Sequence, residues 1–275
     1  MSAIPLIFYI AAAIAYGWHF ARRHPIVGRS ATTLLIFGAL AHTFVIGMQT
    51  MEFGHVPIAG TTSAISTFVW LLALAYLYTE LTTDERAMGI FILPLIVALQ
   101  TIPAVKPNTE AISDVLKGPL FGIHVSSLLF AYASFALACV IGITYMLQFK
   151  EIKAKHLGFF YTRLPSLQVL DRMNHVAIVI GWVFLTIGVI VGFVWAQQAR
   201  TYAGASPQVQ AMSLADPKIL VAVVCWAVYS FELFAARLIG WGGRRSAYLS
   251  LIGFAIVLVN FLPISYFLTK SHNFQ

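Results

Sequence analysis

The chain has 275 residues, 60% hydrophobic and only 10% charged, with a mean hydropathy of +0.84. Soluble domains carry about 25% charged and about 45–50% apolar residues. The balance therefore excludes a soluble enzyme, a disordered chain and a secreted disulfide scaffold, and points to an integral membrane protein. The formal charge of +7 belongs to the basic loops of such a protein rather than to a nucleic-acid surface, so no nucleic-acid partner is expected.

A transmembrane helix takes about 20 apolar residues, and eight long apolar runs follow one another along the chain. The first, 3–20, follows a start with no basic n-region and no Ala-x-Ala site, so it is expected to be retained as a helix. The second, 31–51, carries His42, and the third, 61–79, leads into a loop read as acidic (Glu80, Asp84, Glu85). The fourth, 88–105, contains Pro94 and Pro103, expected to kink or loosen it. The fifth, 118–148, carries His124. The sixth, 174–197, carries Gly181, Gly188 and Gly192, a small-residue stripe that permits close helix approach. Asp216-Pro217 opens the seventh, 218–240, as a capping residue followed by a first-turn proline. The eighth, 248–269, includes Pro263 and is followed by His272. The expected fold is all-α: a polytopic membrane helix bundle of about eight transmembrane helices, forming a single domain over residues 1–275.

Twelve of the 17 Lys and Arg residues fall in connections on one side of this bundle. They include Arg22, Arg23, Arg29, the basic segment 150–172, Arg237, Arg244 and Arg245. The positive-inside rule makes that side cytoplasmic and both termini outside, N-out and C-out.

Ionisable groups at membrane depth mark candidate sites. These are His42, His124, His175 and Glu232, with His272 just beyond the last run. Counting 1.5 Å per helical residue, His124 lies roughly 9 Å and His42 roughly 14 Å below the outer surface. His272 ends on the same side, whereas His175 sits at the inner end of its helix. A single buried histidine is most simply an interhelical hydrogen-bonding group. Several approaching one half of an aromatic-rich bundle suit haem iron held by neutral imidazoles. Cys139 and Cys225 form no C-x-x-C or C-x-x-C-H, so neither dithiol exchange nor self-attachment of haem is expected. Paired spacing for zinc and the G-x-S-x-G, H-E-x-x-H and phosphate-loop patterns are absent from the sequence. Glu232, five residues before Arg237, reads most simply as a charge snorkelling or paired at the interface.

Four stretches carry a family likeness. The first is Ala41-His42, then Gly54-His55-Val56-Pro57 and Ser66-Thr67-Phe68-Val69-Trp70. The second runs from Gly122-Ile123-His124-Val125 to Ala131-Tyr132-Ala133-Ser134-Phe135. The third is Leu170-Asp171-Arg172-Met173-Asn174 leading through Ile180-Gly181, Leu185-Thr186-Ile187-Gly188 and Gly192 to Val194-Trp195-Ala196. The fourth is Asp216-Pro217-Lys218, Cys225-Trp226, Tyr229, Ile252-Gly253-Phe254 and the tail Ser271-His272-Asn273-Phe274. In order and spacing these resemble the cytochrome c assembly family of CcsA-type membrane proteins, which includes HemX-like and YpjD-like members.

The resemblance implies a haem-handling protein of a bacterial plasma membrane, an assembly factor or carrier rather than a catalyst. It assigns the outer haem ligands to His124 and His272, with His42 a third candidate. It also implies non-covalent haem b, held for transfer to the C-x-x-C-H thiols of an apocytochrome c, and a separate CcsB-like partner. The family's tryptophan-rich outer loop is missing, since Tyr202 is the only aromatic residue in 198–216, and the family's seventh-helix histidine is replaced by the stretch Glu232, Leu233, Phe234. The first departure turns the likeness towards a HemX-like or YpjD-like role, and the second removes the ligand of the family's inner haem site. The alternative function is a HemX-like membrane regulator or scaffold of a haem-biosynthesis enzyme.

Overall fold

The computed structural model describes residues 3–58, 60–106, 114–155, 158–201 and 217–259. Nine helices are described within these segments: α1 (Ala3–Arg22), α2 (Pro25–Phe53), α3 (Thr61–Thr83), α4 (Gly89–Val105), α5 (Pro119–Lys153), the short α6 (Phe159–Arg163), α7 (Leu167–Thr201), α8 (Pro217–Ile239) and α9 (Arg244–Val259). A 3₁₀ turn, Asp114–Lys117, precedes α5. Among the described residues six helices are long and apolar enough to cross a membrane: α1, α2, α3, α5, α7 and α8. The apolar α4, with 17 residues, is shorter. The described part of α9 has 16.

Helix boundaries depart from the apolar runs because backbone hydrogen bonding does not stop where polarity begins. α2 starts at Pro25, a proline at the first turn where no N–H is missed, and runs to Gly54, which caps it in the left-handed conformation (φ 72°). α7 starts at Leu167, so Asp171, Arg172 and Asn174 all lie within its first turns. Helices α5 and α7 have 35 residues each, about 52 Å at 1.5 Å per residue. That exceeds the roughly 30 Å of a hydrocarbon core. Pro94 and Pro103 both sit inside α4, and Pro217 opens α8. Asp216 and Pro263 lie outside the described residues.

α5 is the axis of the bundle. In its most apolar window 72% of residues are buried, against 28% for α1, α7 and α8. It packs on α3, α7 and α9, and its interface with α7 is the most extensive between any two helices. Small residues make that approach possible. A Cβ on Gly181 would meet the Phe135 ring, one on Gly188 would lie 2.7 Å from Leu128 Cδ2, and one on Gly192 would meet the His124 imidazole. On the other flank Gly142 of α5 faces Leu251 and the Ala247 carbonyl of α9. The outward faces carry Ile7, Ile14, Phe44, Ile190 and Phe234, each more than half exposed. Lipid rather than water suits such a surface.

The two ends of the bundle differ. At one, Arg163 donates to the Phe20 carbonyl at 2.6 Å and to that of Ala21, and Arg23 donates to the Thr162 carbonyl. Asp171 there accepts the Gly243 N–H at 2.7 Å. Glu80, read from sequence as part of an acidic loop, lies inside α3 and is 1% exposed. Tyr16 and Thr32 donate to its carboxylate at 2.6 and 2.5 Å, and Arg86 lies 3.9 Å away. This is the Arg163 end. At the opposite, His124 end, the connection after α2 is tied down by Thr67, which donates to the Pro57 carbonyl at 3.2 Å. Val56 of that connection approaches Gly122 of α5.

The glycine packing predicts a contrast. Gly181→Ala overpacks the α5–α7 interface and should cost about 1–3 kcal/mol. Gly47→Ala, where a Cβ meets nothing within 4 Å, should be neutral or stabilise by up to about 1 kcal/mol. Thermal unfolding of both variants in detergent checks this.

Candidate functional site

His124 lies on the second turn of α5, against the outgoing half of α7. Its ring rests on Gly192, where any side chain would occupy the same space. Its Nδ1 lies 2.7 Å from the Gly188 carbonyl oxygen. A carbonyl only accepts, so Nδ1 carries the proton and the Nε2 lone pair is the basic one. A hydrogen bond from one ring nitrogen that fixes the tautomer and orientation of the other is the usual support of a metal-ligating histidine. Trp195 lies nearly parallel to the imidazole, at 6.2 Å and 12°, and Phe121 packs on Trp195 at 5.1 Å. The result is one oriented imidazole with an aromatic wall at an end of the bundle. Donor chemistry and apolar surroundings both fit an axial ligand of haem.

His42 is placed differently. It is fully buried in α2, with Tyr9 Oη 3.2 Å from Nδ1 and Ser66 Oγ 3.0 Å from Nε2. One ring nitrogen accepts and the other donates, so the imidazole ties α1, α2 and α3 together. Its partners lie on α1 and α3, whereas His124 bonds to the backbone of α7. His272 lies outside the described residues, as does the segment 202–216. His175 is exposed on α7 near the Arg163 end. Among the described residues no group of three or more His, Cys, Asp and Glu side chains converges as a metal site.

Some features had no signal in the residues themselves, although the family-like stretches include Trp195 and His55. Trp195 and Phe121 look like any interfacial aromatic residues until α5 and α7 are packed. His55, stacked on Phe53 at 6.1 Å, belongs to the connection that approaches Gly122, two residues before His124. Glu232 is neither snorkelling nor ion-paired among the described residues. It is 3% exposed and accepts hydrogen bonds from Ser246 and Ser250 of α9. The apolar α8–α9 interface buries it before its side chain reaches the end of the bundle.

A model of the family described as cytochrome c assembly protein matches residues 5–272. The cytochrome c biogenesis protein CcsA of Guillardia theta is similar at 26% identity over 260 residues, covering 87% of this chain and 83% of that protein. The protein HemX of Bacillus subtilis (strain 168) is similar at 24% identity over 261 residues, covering 93% of this chain and 91% of that protein. CcsA of Synechococcus elongatus is similar at 25% identity, covering 80% and 79%.

The His42 geometry carries its own test. Tyr9→Phe removes a partner from a fully buried ring nitrogen and should cost about 1–3 kcal/mol of stability, read from thermal unfolding in detergent. A change below that range would mean that water replaces the tyrosine.

Proposed function

The chain belongs to the cytochrome c assembly protein family, and from that membership we propose that it binds haem at the His124 end of the bundle and presents it there. The oriented imidazole of His124 is the observation that carries the reading. Nδ1 is held on the Gly188 carbonyl, Trp195 and Phe121 line one side, and Gly192 leaves the ring in contact with bare backbone. In this reading His124 and His272 are the two axial ligands of a non-covalent haem b. His42, the third candidate, serves the α1–α3 packing, because both its ring nitrogens are already engaged there. Haem is cargo, and its iron supplies the bonds that hold it; the protein contributes ligands, an apolar wall and access from one side. The vinyl edge of a haem so held is offered to an apocytochrome c, with a CcsB-like protein as partner.

The loop charges support the remaining assignments. The Arg163 end collects most of the Lys and Arg residues, so it faces the cytoplasm, and the His124 end faces outward. In this reading the chain crosses a bacterial plasma membrane eight times, with both termini outside. A second reading is a membrane regulator of a haem-biosynthesis enzyme that docks on the basic segment 150–172. The near full-length match to HemX proteins and the lack of a tryptophan-rich loop favour it. The two readings separate by what co-purifies: an apocytochrome or its reductant in the first case, a cytosolic enzyme in the second.

The test of haem binding is the reduced-minus-oxidised spectrum of protein purified from cells with ample haem. Wild type should show sharp bis-imidazole bands. His124→Ala and His272→Ala should each lose them, whereas His42→Asn should keep them if it folds. Wild-type protein that takes up no haem, even on reconstitution, would overturn the reading and leave the regulator in its place.

A further inference from the structure

The connection between α8 and α9, at the Arg163 end, borders a cleft of about 470 Å³. Gly240, Trp241, Gly242, Arg244, Arg245 and Tyr248 line it. Gly240 and Gly243 take left-handed conformations, with φ of 68° and 60°. The Gly243 N–H donates to Asp171 of α7 at 2.7 Å, and a Cβ on Gly243 would meet the Tyr145 hydroxyl of α5. The backbone beside the cleft is thus seated on the bundle.

Both arginines are exposed, yet aromatic rings hold both guanidinium groups. That of Arg244 lies 5.6 Å from the Phe149 ring centre and 5.4 Å from that of Tyr248, and its Nη2 donates to Tyr248 Oη at 3.3 Å. That of Arg245 lies 4.8 Å from the Trp241 ring centre. Stacking restrains a long side chain while leaving N–H edges free to donate. Among the described residues neither arginine is ion-paired. Neither serves α9 itself: both stand at its start, no acid lies in its first turn, and that end of a helix disfavours positive charge. Asp171 is not a lining residue but lies behind the wall, with Oδ2 3.3 Å from where a Cβ on Gly242 would stand. Two positive charges against this one negative charge leave an excess of one at the cleft.

We propose that the cleft binds the phosphodiester headgroup of one anionic phospholipid, with Arg244 and Arg245 as its ligands. A phosphodiester carries a single negative charge, and its oxygens match the paired N–H donors of a guanidinium. Lipid is the source because apolar surface adjoins the cleft. Leu238 and Ile239, the two residues before Gly240, are 78% and 63% exposed, which gives acyl chains a wall beside the headgroup. Trp241 and Tyr248 are residue types of the membrane–water boundary, and basic pockets between helices at that depth suit anionic headgroups. The positive-inside rule accounts for basic residues in this connection, but not for two of them held on rings around one cleft. The bound lipid would tie α8 to α9 at the end opposite His124. The site shares no residue with the haem reading and does not depend on it.

A ligand that binds only the folded state raises the unfolding temperature. The full-length protein in detergent is therefore titrated with phosphatidylglycerol, phosphatidylcholine or inorganic phosphate and followed by thermal unfolding. Phosphatidylglycerol should raise the unfolding temperature saturably, well beyond the effect of the other two. Arg244→Gln and Arg245→Gln, both at exposed positions, should each need about tenfold more phosphatidylglycerol for the same rise. Arg237→Gln changes an exposed arginine at the same end but outside the cleft lining, and should behave as wild type. Equal effects of the two lipids would overturn the proposal. So would an equal loss in Arg237→Gln, which would assign diffuse attraction, or an equal rise with inorganic phosphate, which would assign a soluble anion.

Discussion

The contact between α5 and α7 is the constraint on which the rest of the structure depends. Three glycines on α7 remove the side chains that would separate the helices, and Phe135, Leu128 and His124 of α5 fill the space. In lipid no hydrophobic force drives two apolar helices together, so close van der Waals packing and interhelical hydrogen bonds must hold them. Here one side chain supplies both. The His124 ring packs on Gly192 and donates to the Gly188 carbonyl, whose second lone pair remains for the helix's own ladder. The interaction that closes the bundle is also the one that fixes the tautomer and direction of the imidazole.

The bundle separates its chemistry by end. At the His124 end the imidazole lies against Gly192 and beside the rings of Trp195 and Phe121. Carboxylates buried among hydroxyls collect in the other half, where Glu80 is served by Tyr16 and Thr32 and Glu232 by Ser246 and Ser250. Glu80 has Arg86 nearby, while Glu232 has no such neighbour among the described residues.

Much of the fold was legible because hydropathy reports directly on what lipid tolerates: each of the first seven apolar runs falls within a helix to within a residue or so at its ends, and the described part of the eighth, 248–259, lies in α9. The glycine stripe at Gly181, Gly188 and Gly192 was legible for the same reason, since close approach requires small residues at helical spacing. Helix ends were not legible, because Asp171 and Arg172 extend α7 at no cost to its backbone bonds. The two buried glutamates were misplaced on a general ground. Sequence shows a charge near a membrane end, but not which hydroxyls a neighbouring helix will bring to it. His42 and His124 look alike in sequence, as lone histidines in apolar runs. Only packing shows that one is enclosed by α1 and α3 while the other lies against bare backbone of α7. The family likeness reached further than residue physics did, and its ligand His272 lies outside the described residues.

The most direct measurement is the electron paramagnetic resonance and optical spectrum of haem bound to Gly192→Ala beside wild type. If the α5–α7 packing orients His124 as an iron ligand, wild type gives a low-spin bis-imidazole signal. The added methyl group, pressing on the imidazole, should then shift that signal or convert it to high spin in protein that remains folded. A spectrum identical to wild type in a folded Gly192→Ala protein would show that His124 does not hold the iron from this position.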